Sequence, residues 1–193
     1  ASYSLVKLMR GSFLVLGPLL AKFGKAKVSS PGGCSIGVRP VGIHLQALSK
    51  LGAKIKISQG YVVAEAPNGL KGAKIKFSKI SVGATENLII AACFANGETI
   101  LSNCAIEPEI KDLVNFLNKI GCNIKWISER SIKILGVKNV LENQYSIMFD
   151  RIEAGTYLVA AALTEGNLKI YNVIPHIIKT EIRYLKKIGA KIK

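Results

Sequence analysis

A glycine-rich loop around Cys34 carries the residue types with the clearest chemistry in this sequence. The stretch from Val28 to His44 reads VSSPGGCSIGVRPVGIH, in which a glycine pair precedes Cys34 and Arg39 follows it by five residues. The paired glycines remove side chains that would hide the sulfur and let the backbone approach a ligand closely. A nearby guanidinium favours the thiolate form of a cysteine and can also hold an anionic substrate. The pattern indicates a reactive thiol beside an anion site, although an incidental loop cysteine fits the same residues.

The other three cysteines have different surroundings. Cys93 lies in an apolar helical stretch, and Cys122 occupies a repeat position that Ala53 and Ala190 hold in the other copies, so both are predicted to be small core residues. The sequence leaves the setting of Cys104 open. No cysteines have CxxC spacing and no histidine or cysteine stands at metal-ligand spacing, so neither a metal nor a cofactor is expected. In a chain this long and apolar the thiols are expected to stay reduced, as they do in the cytosol.

The elements that must position this loop form an internal repeat of about 70 residues. The segments LGAKIKI, IGCNIKW and IGAKIK begin at residues 51, 120 and 188, and an amphipathic stretch with apolar residues at helical spacing precedes each one. Gly52, Gly121 and Gly189 stand where each helix would end in a left-handed residue. The alternation that follows each glycine predicts a half-buried strand.

A second, mostly apolar helix repeats in the same register. Its copies are GSFLVLGPLLAKFGKAKV, GATENLIIAACFANGETIL and AGTYLVAAALTEGNLKI, which Ser12, Thr85 and Thr156 are expected to cap. Because each copy is apolar nearly all round, all three helices are predicted to be buried. The unit is therefore strand, buried helix, strand, exposed helix, strand, and the copies must pack together to cover their apolar helices. Two copies look complete, and a third begins near Asp150.

The composition and the net charge exclude several classes of protein. The chain has 193 residues, a formal net charge of +15, 49% hydrophobic residues and 20% charged residues, which excludes a disordered chain. The longest apolar stretch, from Phe13 to Leu20, is too short to span a bilayer. Lys7 and Arg10 interrupt the only apolar lead-in, which argues against a signal peptide. The positive charge favours an anionic partner, but lysines used simply as solvent-facing residues would produce the same excess.

The loop PGGCSIGVRPVGIH resembles the catalytic loop of the MurA family, the enolpyruvyl transferases that act on UDP-N-acetylglucosamine in peptidoglycan synthesis. Stretches similar to that family run in order along the chain: LVKLMRGSFLVLGPLLAKFG, LKGAKI, KISVGATENLIIAA, EPEIKDLVNFLNKIG and DRIEAGTYLVAAA. The resemblance implies an α/β fold in which inside-out α/β barrels are built from the repeated βαβαβ-type unit. It also implies that residues 1–149 form most of the first barrel domain, with two repeat units and the catalytic loop at 29–44, and that residues 150–193 form the first part of the second domain, with an incomplete third unit.

The same resemblance implies an activity and a set of site residues. The family enzymes are cytoplasmic and move the enolpyruvyl group of phosphoenolpyruvate onto the 3-hydroxyl of UDP-N-acetylglucosamine, releasing phosphate. On the family pattern Cys34 protonates the methylene carbon of phosphoenolpyruvate, can form a covalent adduct with it and is alkylated by fosfomycin, while Arg39 supplies positive charge. Arg10 would contact the nucleotide sugar. The remaining residues of the implied nucleotide-sugar pocket are Arg39, Pro40, Val41, Gly42, Ile43, Lys79, Ile80, Ser81 and Val82.

The chain departs from the family pattern at several points. Gly42 stands where the family usually has an acidic residue, and Ile106 where it usually has arginine. The family's first Lys-Asn pair and its later phosphate-binding arginines fall outside these 193 residues, which implies that the isolated chain lacks catalysis and at best binds the nucleotide sugar weakly. A solvated or surface-paired side chain stays an alternative for Arg10 and Lys79, and a purely structural role stays an alternative for His44.

Two other functions stay open. The sibling transferase that acts on shikimate 3-phosphate shares the fold and the phosphoenolpyruvate chemistry, although the PGGC loop favours the nucleotide-sugar branch. A basic RNA-binding module would account for the charge, but it predicts an arginine-rich stretch or aromatic stacking platforms, neither of which the sequence contains. Specific nucleic-acid binding and membrane association are therefore not expected, and homo-oligomers through an exposed domain face are an option.

Overall fold

The computed structural model describes residues 9–30 and 41–193, without the side chain of Arg10; residues 1–8 and 31–40 lie outside the description. The chain divides into two compact units, Ala1–Tyr145 and Ser146–Lys193. No helix in the described ranges is both long enough and apolar enough to cross a bilayer.

The first unit contains two copies of the repeat. In the first copy a 3-10 helix at Arg10–Val15 runs directly into α1 (Leu16–Phe23), followed by β1 (Lys25–Ser29), α2 (Gly42–Lys50), β2 (Lys54–Ser58) and β3 (Tyr61–Glu65). The second copy consists of β4 (Lys74–Lys76), α3 (Val82–Ala92), β5 (Glu98–Ser102), α4 (Pro108–Lys119), β6 (Asn123–Ser128) and β7 (Ser131–Leu135). Each exposed helix is thus followed by a two-stranded hairpin, where the sequence predicted one strand.

Each copy contributes one sheet. The first sheet has the strand order β1-β3-β2 and is antiparallel, whereas the second has the order β4-β5-β7-β6, in which β4 and β5 are parallel. In both sheets the returning strand of the hairpin, β3 or β7, lies between the two strands of its copy that flank the exposed helix. The strands β2 and β6 are therefore sheet edges. Ile57 of β2 is 64% exposed, so the predicted half-buried alternation is only partly realised there.

The second unit contains α5 (Arg151–Leu163) and α6 (Lys179–Lys187). The prediction of a strand after Gly189 is wrong, because residues 190–193 form no strand. The equivalent strands of the first two copies, β2 and β6, are each held by hydrogen bonds to a returning strand, and no such strand is described beside residues 190–193.

The three repeat glycines end their helices as predicted. Gly52, Gly121 and Gly189 follow α2, α4 and α6 with φ of 94°, 99° and 101°. The amide after each glycine donates to a carbonyl five residues earlier, which is the Schellman arrangement. These bonds join Ala53 to Leu48 at 3.2 Å, Cys122 to Leu117 at 2.9 Å and Ala190 to Leu185 at 3.0 Å.

The three apolar helices differ in how many of their residues are buried. Helix α3 lies in the core of the first unit, in contact with α1, α2 and α4, and seven of its 11 residues are buried. Helix α1 buries Leu16, Gly17 and Leu20. Helix α5 buries only Ala154 and Gly155, so the prediction of burial is wrong for the third copy. The physical reason is the lack of companions, because α6 is the helix that packs against α5 within the second unit.

The predicted hydroxyl caps are also wrong. Helices α3 and α5 are capped by Ser81 and Asp150, whose side chains accept hydrogen bonds from first-turn N–H groups. Within the described residues the 3-10 helix has no side-chain cap. Thr85 and Thr156 lie inside their helices. Their hydroxyls donate to the carbonyls of Ser81 and Ile152, at 2.8 and 2.7 Å. This contact to a carbonyl four residues earlier is common for threonine within a helix.

Candidate active site

The structure describes only part of the predicted site. Cys34, Arg39 and Pro40 lie outside the described residues, as does the side chain of Arg10. The described groups are residues 41–43, at the beginning of α2, and residues 79–82, which lead into α3. The described part of the site is therefore built on the first turns of these two helices.

Helix α2 begins at the end of the Cys34 loop. The carbonyl of Val41 accepts hydrogen bonds from the N–H groups of His44, at 3.0 Å, and Leu45, at 3.2 Å. Among the residues that the structure describes, no side chain caps this helix, and its first turn contains no acidic residue. Since the first N–H groups of a helix have no acceptor within it, they can bind an acceptor from outside. Val41 and Ile43 pack partly against the core, which fixes the position of this turn.

Helix α3 begins after Ser81, whose Oγ accepts a first-turn N–H at 3.3 Å. The carbonyl of Ser81 accepts from both the N–H and the hydroxyl of Thr85, at 3.0 and 2.8 Å. The N–H of Ala105 in turn donates to Thr85 Oγ1 at 3.1 Å. The start of α3 is thereby tied to the segment that follows β5.

The first turns of α2 and α3 are in contact. A Cβ placed on Gly83, the second residue of α3, would lie 3.4 Å from Cε1 of His44, the third residue of α2. The same Cβ would lie 3.6 Å from Cδ2 of Leu14 in the 3-10 helix. The structure therefore places His44, which follows residues 41–43, beside Gly83, which follows residues 79–82, with Leu14 of the 3-10 helix close to the same point.

A buried amide links these elements. Asn87 of α3 is fully buried, and its Oδ1 accepts the N–H of Gly17 at 2.7 Å. Its Nδ2 lies 3.1 Å from the carbonyl oxygen of Phe13 and 3.2 Å from Nδ1 of His44. The Phe13 and His44 rings meet edge to face, with centroids 5.3 Å apart. Sequence reasoning missed Asn87, although one amide in an apolar helix is a signal, since a buried amide needs partners.

The charges around the two helix starts favour an anion. The helix macrodipole places partial positive charge at an N-terminus, and neither α2 nor α3 carries an acidic residue in its first turn. Lys79 is exposed close to the start of α3. First-turn amides together with a lysine suit a phosphate or diphosphate.

One half-buried carboxyl group in α3 stands apart from this pattern. Burial raises the pKa of Glu86, and the negative charge of Glu109 in the first turn of α4 raises it further. Ile106, where the family usually has arginine, lies just before α4, and its N–H donates to Glu107 Oε2 at 2.8 Å.

The three described cysteines are buried and reduced. A hydrogen bond to Cys122 and burial raise the pKa of Cys93, and the same bond lowers the pKa of Cys122. Burial raises the pKa of Cys104 to about 12, against the opposing effect of a backbone hydrogen bond from Ile132. The prediction that Cys93 and Cys122 are core residues is confirmed, and Cys104 joins them. Thiols that solvent cannot reach are poor nucleophiles.

A separate groove lies in the second unit. It encloses about 630 Å³ and is lined by Pro175, His176, Lys179, Ile182, Arg183, Lys186 and Lys187. No residue predicted for the site lines it. Within residues 9–30 and 41–193, no group of three or more His, Cys, Asp or Glu side chains could hold a metal ion.

Solved structures with the same fold are enolpyruvyl transferases. The enolpyruvyl transferase NikO from Streptomyces tendae aligns with the whole chain and 46% of its own length, with a TM-score of 0.80 and 20% sequence identity. An EPSP synthase from Acinetobacter baumannii aligns with 78% of the chain and 34% of its own length, with a TM-score of 0.61 and 21% identity. The predicted α/β enolpyruvyl-transferase fold is confirmed.

Curated relatives are much more similar in sequence. The UDP-N-acetylglucosamine 1-carboxyvinyltransferase of Pelagibacter ubique is 73% identical over 192 residues, and that of Coxiella burnetii is 51% identical over 193 residues. Both alignments span the chain but only 46% and 44% of the relatives, so the chain covers less than half of their length. The predicted resemblance to the transferases that act on UDP-N-acetylglucosamine is confirmed. The family model for EPSP synthase (3-phosphoshikimate 1-carboxyvinyltransferase) matches residues 1–193, and the chain therefore belongs to the EPSP synthase family.

Proposed function

We propose that the protein carrying this chain transfers the enolpyruvyl group of phosphoenolpyruvate to the 3-hydroxyl of UDP-N-acetylglucosamine and releases phosphate, as the committed step of peptidoglycan synthesis in the cytoplasm. The observation that carries this proposal is the 73% identity, over the whole chain, to a relative with the name UDP-N-acetylglucosamine 1-carboxyvinyltransferase. The contact between the starts of α2 and α3 supports it, because first-turn amides and Lys79 suit the diphosphate of a nucleotide sugar.

The chemistry assigns a separate task to each group of residues. In the addition, the sugar 3-hydroxyl gives its proton to a base as its oxygen bonds to the central carbon of phosphoenolpyruvate, and the methylene carbon gains a proton to become a methyl group. Loss of one proton from that methyl group, together with phosphate, then restores the double bond. Cys34 is the proposed acid for the methylene carbon, and Arg39 would offset the negative charge of phosphoenolpyruvate. Arg10 and Lys79 are the proposed cationic contacts of the nucleotide sugar.

The remaining residues of the proposed pocket act mainly through their backbone. Pro40, Val41, Gly42 and Ile43 would line the uridine side, and the segment 80–82 would complete the pocket. Gly42 offers no carboxylate to the uridine, so recognition there rests on main-chain groups. Val41, Ile43 and Val82 pack against the core, which holds those main-chain groups in place.

Shikimate 3-phosphate is the competing acceptor, because the matching family model has the name of the enzyme that uses it. The curated relatives at 51% and 73% identity favour the nucleotide sugar. Phosphate release from phosphoenolpyruvate separates the two when each acceptor is offered alone to the complete protein. Turnover is expected with UDP-N-acetylglucosamine, and turnover with shikimate 3-phosphate alone would overturn the proposal.

The isolated chain is proposed to be inactive. It covers less than half of its curated relatives, and the missing part includes residues that the family resemblance assigns to phosphate binding. The same assay applied to the 193-residue chain should show no phosphate release. Homo-oligomers through an exposed domain face are a further proposal for this chain.

A further inference from the structure

The orientation of the Asn87 side-chain amide is fixed by two groups that cannot exchange roles. The N–H of Gly17 can only donate, so the atom that faces it at 2.7 Å is the amide oxygen. The carbonyl of Phe13 can only accept, so the atom that faces it at 3.1 Å is the amide nitrogen. The other hydrogen on this nitrogen then points to Nδ1 of His44, at 3.2 Å.

This geometry selects one form of the His44 ring. Since Asn87 Nδ2 is a donor, Nδ1 of His44 must accept with its lone pair, and the neutral ring carries its proton on Nε2. The ring is buried, with its plane at 78° to the ring of Phe13. Its Cε1 and Nε2 would lie 3.4 and 3.7 Å from a Cβ on Gly83. His44 lies in the first turn of α2. On one side its imidazole contacts Asn87, and on another it lies beside Gly83 in the first turn of α3.

We propose that Asn87 and His44 form a positioning pair, which sets the first turn of α2 against the first turn of α3 and so aligns both sets of backbone amides on one nucleotide sugar. The inference rests on the proposed function. Neither side chain is required to touch the substrate. The pair acts by fixing residues 41–43, which directly precede His44 in the chain, and residues 81–83, of which Gly83 lies beside the imidazole.

Packing alone does not account for this arrangement. A fully buried amide lowers stability unless its polar atoms are hydrogen-bonded, and an apolar side chain of similar size would fill the same space without that requirement. The polar atoms of Asn87 bond to three separate elements: the 3-10 helix, α1 and α2. Such a group specifies the relative position of those elements.

Steady-state kinetics on the complete protein can test the pair. Asn87→Leu removes the donor and His44→Leu removes the acceptor, so each should raise the KM for UDP-N-acetylglucosamine about tenfold, as expected for a lost buried hydrogen bond, while kcat changes less. His44→Asn places an amide oxygen where Nδ1 was and should restore most of the affinity. Leu88→Ala is the matched control, because Leu88 is the fully buried neighbour of Asn87. It should lower the melting temperature and leave the KM unchanged.

The outcomes distinguish this inference from the proposed function. If the parent protein turns over UDP-N-acetylglucosamine but both leucine variants fold and keep their KM, the positioning pair is overturned and the proposed function stands. If the parent protein shows no such turnover, the proposed function fails. Amide hydrogen exchange then tests whether Asn87 and His44 still fix the first turns of α2 and α3. Faster exchange at residues 42–45 and 82–85 in Asn87→Leu and His44→Leu, compared with Leu88→Ala, supports the pair, and equal exchange overturns it.

Discussion

Gly17 and Asn87 lie so close together that position 17 has room only for a hydrogen atom. A Cβ at this position would fall 2.1 Å from Asn87 Oδ1 and 2.6 Å from the Asn87 carbonyl oxygen. The same approach allows the N–H of Gly17 to reach Oδ1 at 2.7 Å, across 70 residues of sequence. The packing of α1 on α3 therefore depends on a glycine in one helix and an amide in the other.

Gly17→Ala is expected to lower the free energy of unfolding by about 3 kcal/mol, because the methyl group forces the helices apart and weakens a buried hydrogen bond. Urea unfolding followed by circular dichroism measures the change. Gly11→Ala is the matched control, since a Cβ there meets no atom of the described residues within 4 Å, and it should change stability by less than about 0.5 kcal/mol. Equal effects of the two substitutions would show that the contact between α1 and α3 is looser than described.

Local sequence signals were reliable where one element decides the structure. The repeat glycines at positions 52, 121 and 189 adopt positive φ because each ends its own helix. The extra strands β3 and β7 were not predicted, although Gln59 and Gly60, both with positive φ, form the tight turn between β2 and β3.

Signals that depend on distant packing could not be read from the sequence. Helices α3 and α5 have similar apolar sequences, yet only α3 is buried, since burial depends on which other elements surround a helix. The partners of Asn87 lie 74, 70 and 43 residues away, so the local pattern of one amide in an apolar helix indicates that partners are needed but cannot identify them. The family resemblance, by contrast, predicted that the segments 41–43 and 79–82 share one pocket, but it did not predict the approach of Gly83 to His44.

Glu86→Gln should stabilise the protein at neutral pH. Because burial and Glu109 raise the pKa of Glu86 in the folded state, its ionised form opposes folding above that pKa, and the opposition disappears as the pH falls towards the ordinary value of 4.5. The variant should therefore be more stable at pH 7, by less than about 1 kcal/mol because solvent screens a half-buried group, and equal to the parent chain below pH 4. Thermal unfolding at both pH values measures this difference. A gain that persists at low pH would assign the effect to packing and not to charge.

Fosfomycin and iodoacetamide should modify Cys34 alone in the folded protein. Cys93 and Cys104 have no exposed surface and Cys122 is 6% exposed, and burial raises the pKa of Cys104 to about 12, so that thiol stays protonated at pH 8. Peptide mapping by mass spectrometry reads the site of modification. Iodoacetamide in denaturant is the control and should label all four cysteines. Native labelling of Cys93, Cys104 or Cys122 would contradict the assignment of the reactive thiol.

The exposed side of α5 should make the 193-residue chain self-associate. Ile152, Val159 and Leu163 recur at helical spacing on one side of α5, and they are 60%, 51% and 83% exposed. Burying large apolar side chains between two copies contributes about 1.5 to 3 kcal/mol for each one that is fully covered. Val159→Lys combined with Leu163→Lys should therefore shift the chain towards monomer in sedimentation equilibrium. Asn167→Lys with Thr180→Lys adds the same charge at two exposed polar positions, so loss of association in that control would attribute the effect to charge repulsion and not to the apolar side of α5.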